Sequence, residues 1–311
     1  MAKRSRQLPQ DAFHEEWNMD TTLLWTLNLG LEQTIVYLFQ ETPTFEQFEA
    51  WIIEKNKGVI PQTSIASFNR TLTKRMAPAS GAVTTVLTEE DLEHWNTQGY
   101  VIVREAVSKQ DCEDAIAAMY DFLGITKDDP ASWYKPHPAR QGIMVQLFQH
   151  PALEKNRTSP KIRAAYEQLW RRTDLWMNTD RVSFNPPENE QWHFPGPRLH
   201  WDVSLQLPIP FGLQGLLYLS DTLETQGAFT LVPGFHHKIN DWINSLPAGA
   251  DPRLQDLYAL DAKPIAAGAG DFIIWHQALP HGSSPNTARL PRIVQYINYL
   301  PIDGGINDVW R

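Results

Sequence analysis

The sequence predicts a mainly β fold, a sandwich or a barrel, with helices before and around it. Two observations support this prediction. From residue 175 onward, short apolar runs alternate with turn signals that contain Gly, Pro or Asn. Before that point, apolar residues recur at helical spacing. The 23 Pro and 12 Trp among the 311 residues also suit short strands and long loops better than a helical bundle.

The first 75 residues are predicted to be helical. Leu23, Leu27 and Leu31 belong to a stripe along one face of a helix over 21–40. A second helix is expected to start at Thr44, where Gln47 completes a capping box. No chemistry-bearing cluster occurs here, so these helices are expected to serve packing or homodimerisation.

Small residues with Pro and Gly at 75–85 predict a linker. We therefore expect a helical extension over 1–80 and a second domain over 81–311.

A helix-strand-helix unit follows the predicted linker. Thr88 is placed to cap a helix that ends at Gly99, a short strand is expected at 100–103, and Ser108 is placed to cap a helix that ends at Gly124. The long aromatic loop 126–141, which contains Trp133, is predicted to form a wall of a pocket. Strands are then expected at 176–184, 200–207, 213–219, 228–232, 272–276 and 292–299.

Composition excludes several classes of protein. A net charge of −9 argues against nucleic acid or an anionic membrane as the main partner. The most apolar stretch, 21–40, contains Asn28 and Glu32, so no membrane span is expected. The basic first ten residues lack the apolar core of a signal peptide. The single cysteine, Cys112, excludes an intrachain disulfide and a cysteine-based zinc site, and a cytoplasmic protein is expected.

The stretch Arg198–Ser204 contains the first signal of chemistry. Polar and apolar residues alternate in it, which predicts a strand that projects His200 and Asp202 to the same face. Two His and one carboxylate on one face suit iron(II) with open coordination positions. Chain order leaves the third ligand open between His276 and His281, with His281 favoured because Gly282 removes bulk beside it.

These motifs resemble the phytanoyl-CoA dioxygenase family of iron(II)/2-oxoglutarate oxygenases. The resemblance covers about residues 87–301 and includes LTEEDLEHWNTQGYVIVREAV, His200-x-Asp202, GAFTLVPGFHH, GDFIIWHQALPHGSSPN and Arg292. The family places an Arg 11 residues after its distal His. His281 and Arg292 have this spacing, and His276 does not. The resemblance implies an α+β fold with a double-stranded β-helix core, which is a cupin-like jelly-roll.

The resemblance also implies roles for individual residues. His200, Asp202 and His281 would hold iron(II), which would bind 2-oxoglutarate and O2. Arg292 would hold the far carboxylate of 2-oxoglutarate through a planar bidentate contact, and Ser283 would add a hydrogen bond.

Two further positions match the family less directly. Tyr218 lies where an aromatic residue borders the cosubstrate, and Gln146 is a positional match for a polar pocket residue.

The implied activity is hydroxylation of an unactivated C–H bond in a small-molecule or acyl substrate, with release of succinate and CO2. Asp202 favours hydroxylation because halogenating relatives lack this carboxylate. Two alternatives are a jelly-roll protein that binds metal or ligand without turnover, and a zinc hydrolase. The hydrolase requires a general base and gives Arg292 and Ser283 no function.

Overall fold

The computed structural model describes residues 16–60, 62–73 and 83–305. Most of the predicted linker and the basic first ten residues lie outside these ranges. The helices are α1 (Trp17–Thr26), α2 (Leu31–Glu41), α3 (Phe45–Lys55), α4 (Gln62–Thr73), α5 (Glu89–Gln98), α6 (Lys109–Leu123), α7 (Pro151–Arg157), α8 (Pro160–Trp170) and α9 (Ile239–Ser245). In the described ranges, no helix is both long and apolar enough to cross a bilayer.

The strands form a large sheet, a small sheet and a two-stranded ribbon. Their bounds are β1 (Tyr100–Val103), β2 (Arg140–Gln141), β3 (Met144–Val145), β4 (Leu175–Met177), β5 (Val182–Asn185), β6 (Leu213–Tyr218), β7 (Phe229–Leu231), β8 (Lys263–Pro264), β9 (Phe272–His276), β10 (His281–Ser283), β11 (Arg292–Tyr296) and β12 (Tyr299–Pro301). The seven-stranded sheet has the order β1-β9-β6-β11-β5-β3-β2, and the three-stranded sheet has the order β10-β7-β8. Strand β12 pairs with β4, and all of the pairings are antiparallel.

Alternating side chains of the large sheet enter two separate apolar cores. In β9, Phe272 and Ile274 pack in the core that contains α6 and α8, whereas Ile273 and Trp275 pack in the core between the two sheets. This alternation is the period-2 pattern of a strand that is buried on both faces. Two sheets that enclose one core, with helices on the outer face, form the predicted jelly-roll.

The capping signals place the helices of the predicted helix-strand-helix unit correctly. Thr88 and Ser108 each accept a hydrogen bond from the backbone N–H three residues on, and Gly99 and Gly124 end their helices in the left-handed conformation. The capping box at Thr44 is also confirmed, at the start of α3. A side-chain oxygen at the first position satisfies a backbone donor that the helix itself leaves unpaired.

The single helix predicted over 21–40 is wrong. The chain forms α1 and α2 instead, and it turns between them at Asn28, whose φ is +52°. Asn28 holds this turn through both ends of its amide, because it donates to Glu154 at 3.1 Å and accepts from Thr179 at 3.1 Å. The helix break is therefore made by contacts with the jelly-roll, which helical spacing does not reveal.

The strand predicted over 176–184 is interrupted. The polar residues 178–181 separate β4 from β5 and bring Asp180 and Arg181 to the cavity described below. The aromatic loop 126–141 also differs from its prediction. Trp133 is 3% exposed, packs in the helix-side core and donates to the carbonyl of Thr126, so it does not line that cavity.

The segment predicted as the strand 200–207 is not a strand. Only His200 pairs, through two backbone hydrogen bonds to His281. Arg253 donates to the carbonyls of Trp201 and Val203 at 2.7 and 2.6 Å, which satisfies groups that a neighbouring strand would otherwise pair. Conversely, the predicted turn around His281 forms strand β10.

Candidate metal centre

His200, Asp202 and His281 converge at one end of the small sheet. The Nε2 atoms of His200 and His281 each lie 3.2 Å from a different carboxylate oxygen of Asp202. One donor atom from each residue fits within 4.8 Å of the others. The backbone bridge between His200 and His281 fixes the positions of the two rings. Asp202 reaches the same side because the chain bends at residues 202–203, and not because the segment is a strand with alternating side chains.

The second nitrogen of each imidazole fixes its tautomer. Nδ1 of His200 lies 2.7 Å from the carbonyl of Arg198, and Nδ1 of His281 lies 3.0 Å from the carbonyl of Leu279. A carbonyl only accepts, so each Nδ1 carries the proton and each Nε2 presents a lone pair toward Asp202. Three hydrogen-bond acceptors that face one point are stable only with a cation or protons between them. Two imidazole nitrogens and a carboxylate arranged in this way are the ligand set of a metal site.

Gln214 holds the carboxylate from the other side. Its Nε2 donates to Oδ2 of Asp202 at 2.7 Å, and its Oε1 accepts from the indole N–H of Trp275 at 3.1 Å. Because an indole only donates, Trp275 fixes which end of the Gln214 amide faces Asp202. Gln214 was not predicted as a site residue, although the period of two along β6 places it on the same face as Leu216 and Tyr218.

The charges of the triad are strongly coupled. Burial raises the pKa of Asp202. When protons rather than a cation lie between the three residues, the hydrogen bonds and charge of His200 and His281 outweigh that effect and hold this pKa well below its usual range. Burial lowers the pKa of His200, and the hydrogen bond and charge of Asp202 outweigh that effect, so the pKa is raised. The site therefore keeps its carboxylate ionised and attracts positive charge.

Ser283 and Arg292 lie beside the triad. Arg292 is completely buried, and its Nη2 donates to the Ser283 hydroxyl at 2.8 Å while its Nε donates to the carbonyl of Gly227 at 3.0 Å. Its Nη1 has no hydrogen-bond partner. Ser283 lines the cavity and separates Arg292 from it.

The triad opens into a cavity of about 150 Å³. Several of its other lining residues could not be identified from the sequence, and they come from two separate segments: Asp180 and Arg181, and Tyr296 and Asn298. The only sequence signal was the polar run 178–181 inside an otherwise apolar stretch. Burial raises the pKa of Asp180 to about 6, and the Arg181 guanidinium forms an ion pair with Glu32 of α2.

The remaining predicted positions lie farther from the cavity. Tyr218 is fully buried in the core between the sheets, where its hydroxyl donates to the carbonyl of Ile265 and accepts from the N–H of Phe229. Gln146 donates to Glu32 at 3.3 Å. Neither residue lines the cavity.

The structure also separates the two histidines between which chain order could not decide. His281 faces Asp202, whereas the ring of His276 packs against Trp95, Phe211 and His236.

Comparison with known proteins gives consistent results. A curated protein of Dictyostelium discoideum named "Putative phytanoyl-CoA dioxygenase" is 24% identical over 260 residues, which are 67% of this chain and 74% of that protein. The crystal structure of the epimerase SnoN with Fe3+, alpha ketoglutarate and nogalamycin RO matches 68% of this chain and 83% of its own, with a TM-score of 0.51 and 18% identity. HygX from Streptomyces hygroscopicus, with nickel and 2-oxoglutarate bound, matches 70% and 88%, with a TM-score of 0.50 and 16% identity.

At these identities the two solved structures establish the fold. The family itself is established by the model of phytanoyl-CoA dioxygenase (PhyH), which matches residues 95–294, about two-thirds of the chain. This match spans the triad, Ser283 and Arg292. The chain belongs to the phytanoyl-CoA dioxygenase family.

Proposed function

We propose that the protein is an iron(II)- and 2-oxoglutarate-dependent dioxygenase that hydroxylates an unactivated C–H bond of a small-molecule or acyl substrate. One oxygen atom of O2 enters the substrate as a hydroxyl group, the other enters succinate, and 2-oxoglutarate loses CO2. His200, Asp202 and His281 are the proposed iron ligands, since two imidazoles and one carboxylate are the facial set that leaves positions open on iron(II). The bound iron supplies the oxygen chemistry, and the chain orients the groups around it.

The observation that carries the proposal is the buried guanidinium of Arg292. Among the described residues, no carboxylate forms an ion pair with it, and its Nη1 is without a partner. A buried cation without an anion is costly, so the site is completed by an anionic ligand. The far carboxylate of 2-oxoglutarate is such a ligand, and Ser283 presents its hydroxyl between Arg292 and the cavity.

Arg157 is the appropriate comparison. It is equally buried and also has guanidinium nitrogens without partners. It does not line the cavity, however, and it donates to the backbone carbonyls of Phe148 and Asp180. Of these two arginines, Arg292 alone combines the missing partner with a cavity-lining serine beside the triad.

The intact carboxylate of Asp202 supports hydroxylation within this class of reaction. It would take the coordination position on bound iron that a halide would need, and Gln214 holds it in place. We also propose that residues 1–80 form an extension to the catalytic domain at 81–311. The homodimer through its helices and the roles of Tyr218 and Gln146 as cosubstrate neighbours stay predictions.

The test is binding and turnover of 2-oxoglutarate by the purified full-length protein. Without oxygen, iron(II) and 2-oxoglutarate together should give the visible charge-transfer band of their chelate. With oxygen and ascorbate, labelled 2-oxoglutarate should release CO2 and succinate. The non-catalytic alternative predicts no succinate, and equal turnover with iron and zinc would favour the hydrolase.

Arg292→Ala should weaken 2-oxoglutarate binding about 10- to 100-fold, because a charge-assisted hydrogen bond contributes about 1.5–3 kcal/mol. Arg292→Lys should give partial recovery, since lysine keeps the charge without the planar fork. The exposed Arg198 lies on the His200 segment, so Arg198→Ala is the matched control. Equal 2-oxoglutarate affinity in Arg292→Ala and Arg198→Ala would contradict the assignment.

A further inference from the structure

A second, larger cavity lies between α1 and the jelly-roll and meets the triad at Asp202. Its volume is about 430 Å³, compared with about 150 Å³ for the first cavity, and Asp202 lines both. Binding sites for organic ligands usually measure about 300–1,000 Å³. The first cavity is below that range and the second lies within it, so the space for a primary substrate is beside the triad, under the N-terminal helix.

One face of α1 forms the outer wall of this second cavity. Trp17, Thr21 and Trp25 are spaced four residues apart, so they make one stripe along the helix. The Thr21 hydroxyl donates back to the carbonyl of Trp17 at 3.0 Å, so its hydrogen-bonding capacity is used within the helix. The α1 wall therefore carries two indole rings with a threonine between them, together with the polar side chains of Asn18 and Thr22.

The facing wall is also aromatic. The rings of Trp170 and Phe211 lie 5.0 Å apart at 87°. The Trp170 indole N–H already donates to the carbonyl of Tyr299, and Phe211 is 42% exposed although it is a large apolar residue. Aromatic rings on both sides of a cleft favour a flat apolar ligand through edge and stacking contacts.

The charges around the two cavities argue against a primary substrate that carries phosphate groups. Among the described residues, the second cavity is lined by no Lys, Arg or His, and Asp202 is its only charged lining residue. Arg181 is the only Lys or Arg that lines the first cavity, and Glu32 already neutralises it. The phosphates of a coenzyme A thioester require a cluster of basic donors, which neither cavity supplies.

Building on the proposed function, we propose that this second cavity binds the primary substrate, and that the substrate is an uncharged, largely aromatic or alicyclic small molecule. Its oxidised carbon lies at the Asp202 end, next to the proposed iron. The N-terminal helix α1 lies outside the family match at 95–294, so it is a specificity element of this chain rather than a shared part of the catalytic core.

The test uses two fluorinated probes of the same shape. One is 6-fluoro-2-naphthol, which is uncharged at pH 7, and the other is 6-fluoro-2-naphthoate, which is an anion. Each is titrated into full-length protein with 2-oxoglutarate and either manganese(II) or zinc(II), and fluorine NMR linewidths are recorded. The naphthol should bind saturably, at least tenfold more tightly than the naphthoate, and should broaden with paramagnetic manganese but not with zinc.

Two variants test whether the probe binds in this cavity. Thr21→Trp fills the space and should weaken naphthol binding at least tenfold, whereas Met19→Trp, on the outward face of α1, should not change it. Met19 is 43% exposed, so it is a matched control for a new indole on the same helix. If Thr21→Trp does not fold, Phe211→Lys at the exposed rim answers the same question, because the added ammonium should weaken naphthol binding and strengthen naphthoate binding.

The outcomes separate the two proposals. A charge-transfer band and succinate formation without metal-dependent broadening of the naphthol would overturn the substrate site alone. Tighter binding of the naphthoate by the unmodified protein, or unchanged naphthol binding in both Thr21→Trp and Phe211→Lys, would also overturn it. Absence of both the band and succinate would overturn the proposed function, whatever the probes do.

Discussion

His276 and His281 lie five residues apart on consecutive strands of the chain, yet of the two only the ring of His281 faces Asp202. The ring of His276 lies in a cluster with His236 and Phe211 on the other side of β9. The difference follows from the segment between them, which turns the chain from the large sheet into the small one. A metal site built on His200 and Asp202 can therefore recruit His281 only.

We expect His281→Ala to reduce affinity for iron(II), or for cobalt(II) as its stable substitute, at least 100-fold. The variant leaves two of the three proposed protein ligands. His276→Gln, the matched change at the neighbouring histidine, should leave the affinity within about threefold. Titration calorimetry of the two metal-free proteins measures the difference. Normal metal affinity in His281→Ala would remove the third ligand from the assignment.

Within the part of the chain that the structure describes, the Ser283 hydroxyl is the only side-chain hydrogen-bond partner of the Arg292 guanidinium. Ser283→Ala removes one hydrogen bond near the charged group, which contributes about 1.5–3 kcal/mol. We expect the 2-oxoglutarate KM to rise roughly 10-fold with little change in kcat, because the reacting groups are untouched. Ser284→Ala is the control, since that hydroxyl donates to the backbone of Ala228 instead. A fall in kcat without a change in KM would contradict a positioning role.

At the scale of elements, the site depends on how closely two backbone segments approach. A Cβ at Gly282 in β10 would lie 2.5 Å from the carbonyl oxygen of Arg198 and 2.7 Å from its carbonyl carbon. These are backbone atoms of the segment that carries His200, so they cannot rotate away as a side chain would. The glycine therefore allows His200 to pair with His281, and its importance could be suspected from its position beside His281 in the sequence.

Gly282→Ala should push the His200 segment off β10. Overpacking of this kind costs about 1–3 kcal/mol in the free energy of unfolding. Metal affinity should fall with it, because the His200 ring moves relative to His281. Gly268→Ala is the control, since a Cβ there meets nothing closer than 3.5 Å. Urea unfolding and metal titration of both variants check the prediction, and it would fail if the two alanine variants behaved alike.

The segment around His200 shows why some elements escape prediction. Its alternating residues predicted a strand, and the expected convergence of His200 and Asp202 does occur. The backbone between them, however, bonds to Arg253, a residue some 50 positions later in the chain. Alternation of polar and apolar residues predicts which side chains are buried. It does not predict which group forms hydrogen bonds with the backbone.

For the whole molecule, the parts of the fold set by local signals were predictable. Local signals act within a few residues, so a single sequence is enough to predict them. Examples are the helix caps at Thr88 and Ser108 and the alternation of side chains in β9. The split of the first helix at Asn28 and the arrival of Arg181 at the cavity depend on contacts between distant segments. The triad could be predicted from the sequence because His and Asp are metal-binding residue types. Gln214 and the α1 wall could not be predicted, because only the folded chain brings them next to the triad.

The response of the whole molecule to acid follows from two partly buried histidines. Burial, together with the charge of neighbouring histidines, lowers the pKa values of His276 and His236 to about 4. Their rings lie 5.3 Å apart, so protonation of one opposes protonation of the other. In the unfolded chain both titrate near about 6.5.

The sign of the effect on stability follows directly. Above about pH 6.5 both histidines are neutral in the folded and the unfolded protein, so they add no pH dependence. Between about pH 6.5 and 4 the two histidines bind protons in the unfolded chain but stay neutral in the folded protein. Each histidine then lowers the free energy of unfolding by up to about 1.4 kcal/mol per pH unit. Below about pH 4 both states are protonated and this loss reaches its limit.

We therefore expect His276→Gln to reduce the loss of stability between pH 6.5 and 4, because it removes one of the two proton acceptors and relieves the other. The exposed His193 supplies the control variant, His193→Gln. Urea unfolding of the metal-free proteins at pH 7.5, 6 and 5 gives the slopes. Since the triad is the same in all three proteins, its own titration cancels from the comparison. An unchanged slope in His276→Gln would mean that acid unfolding begins elsewhere, with the triad itself the next group to test.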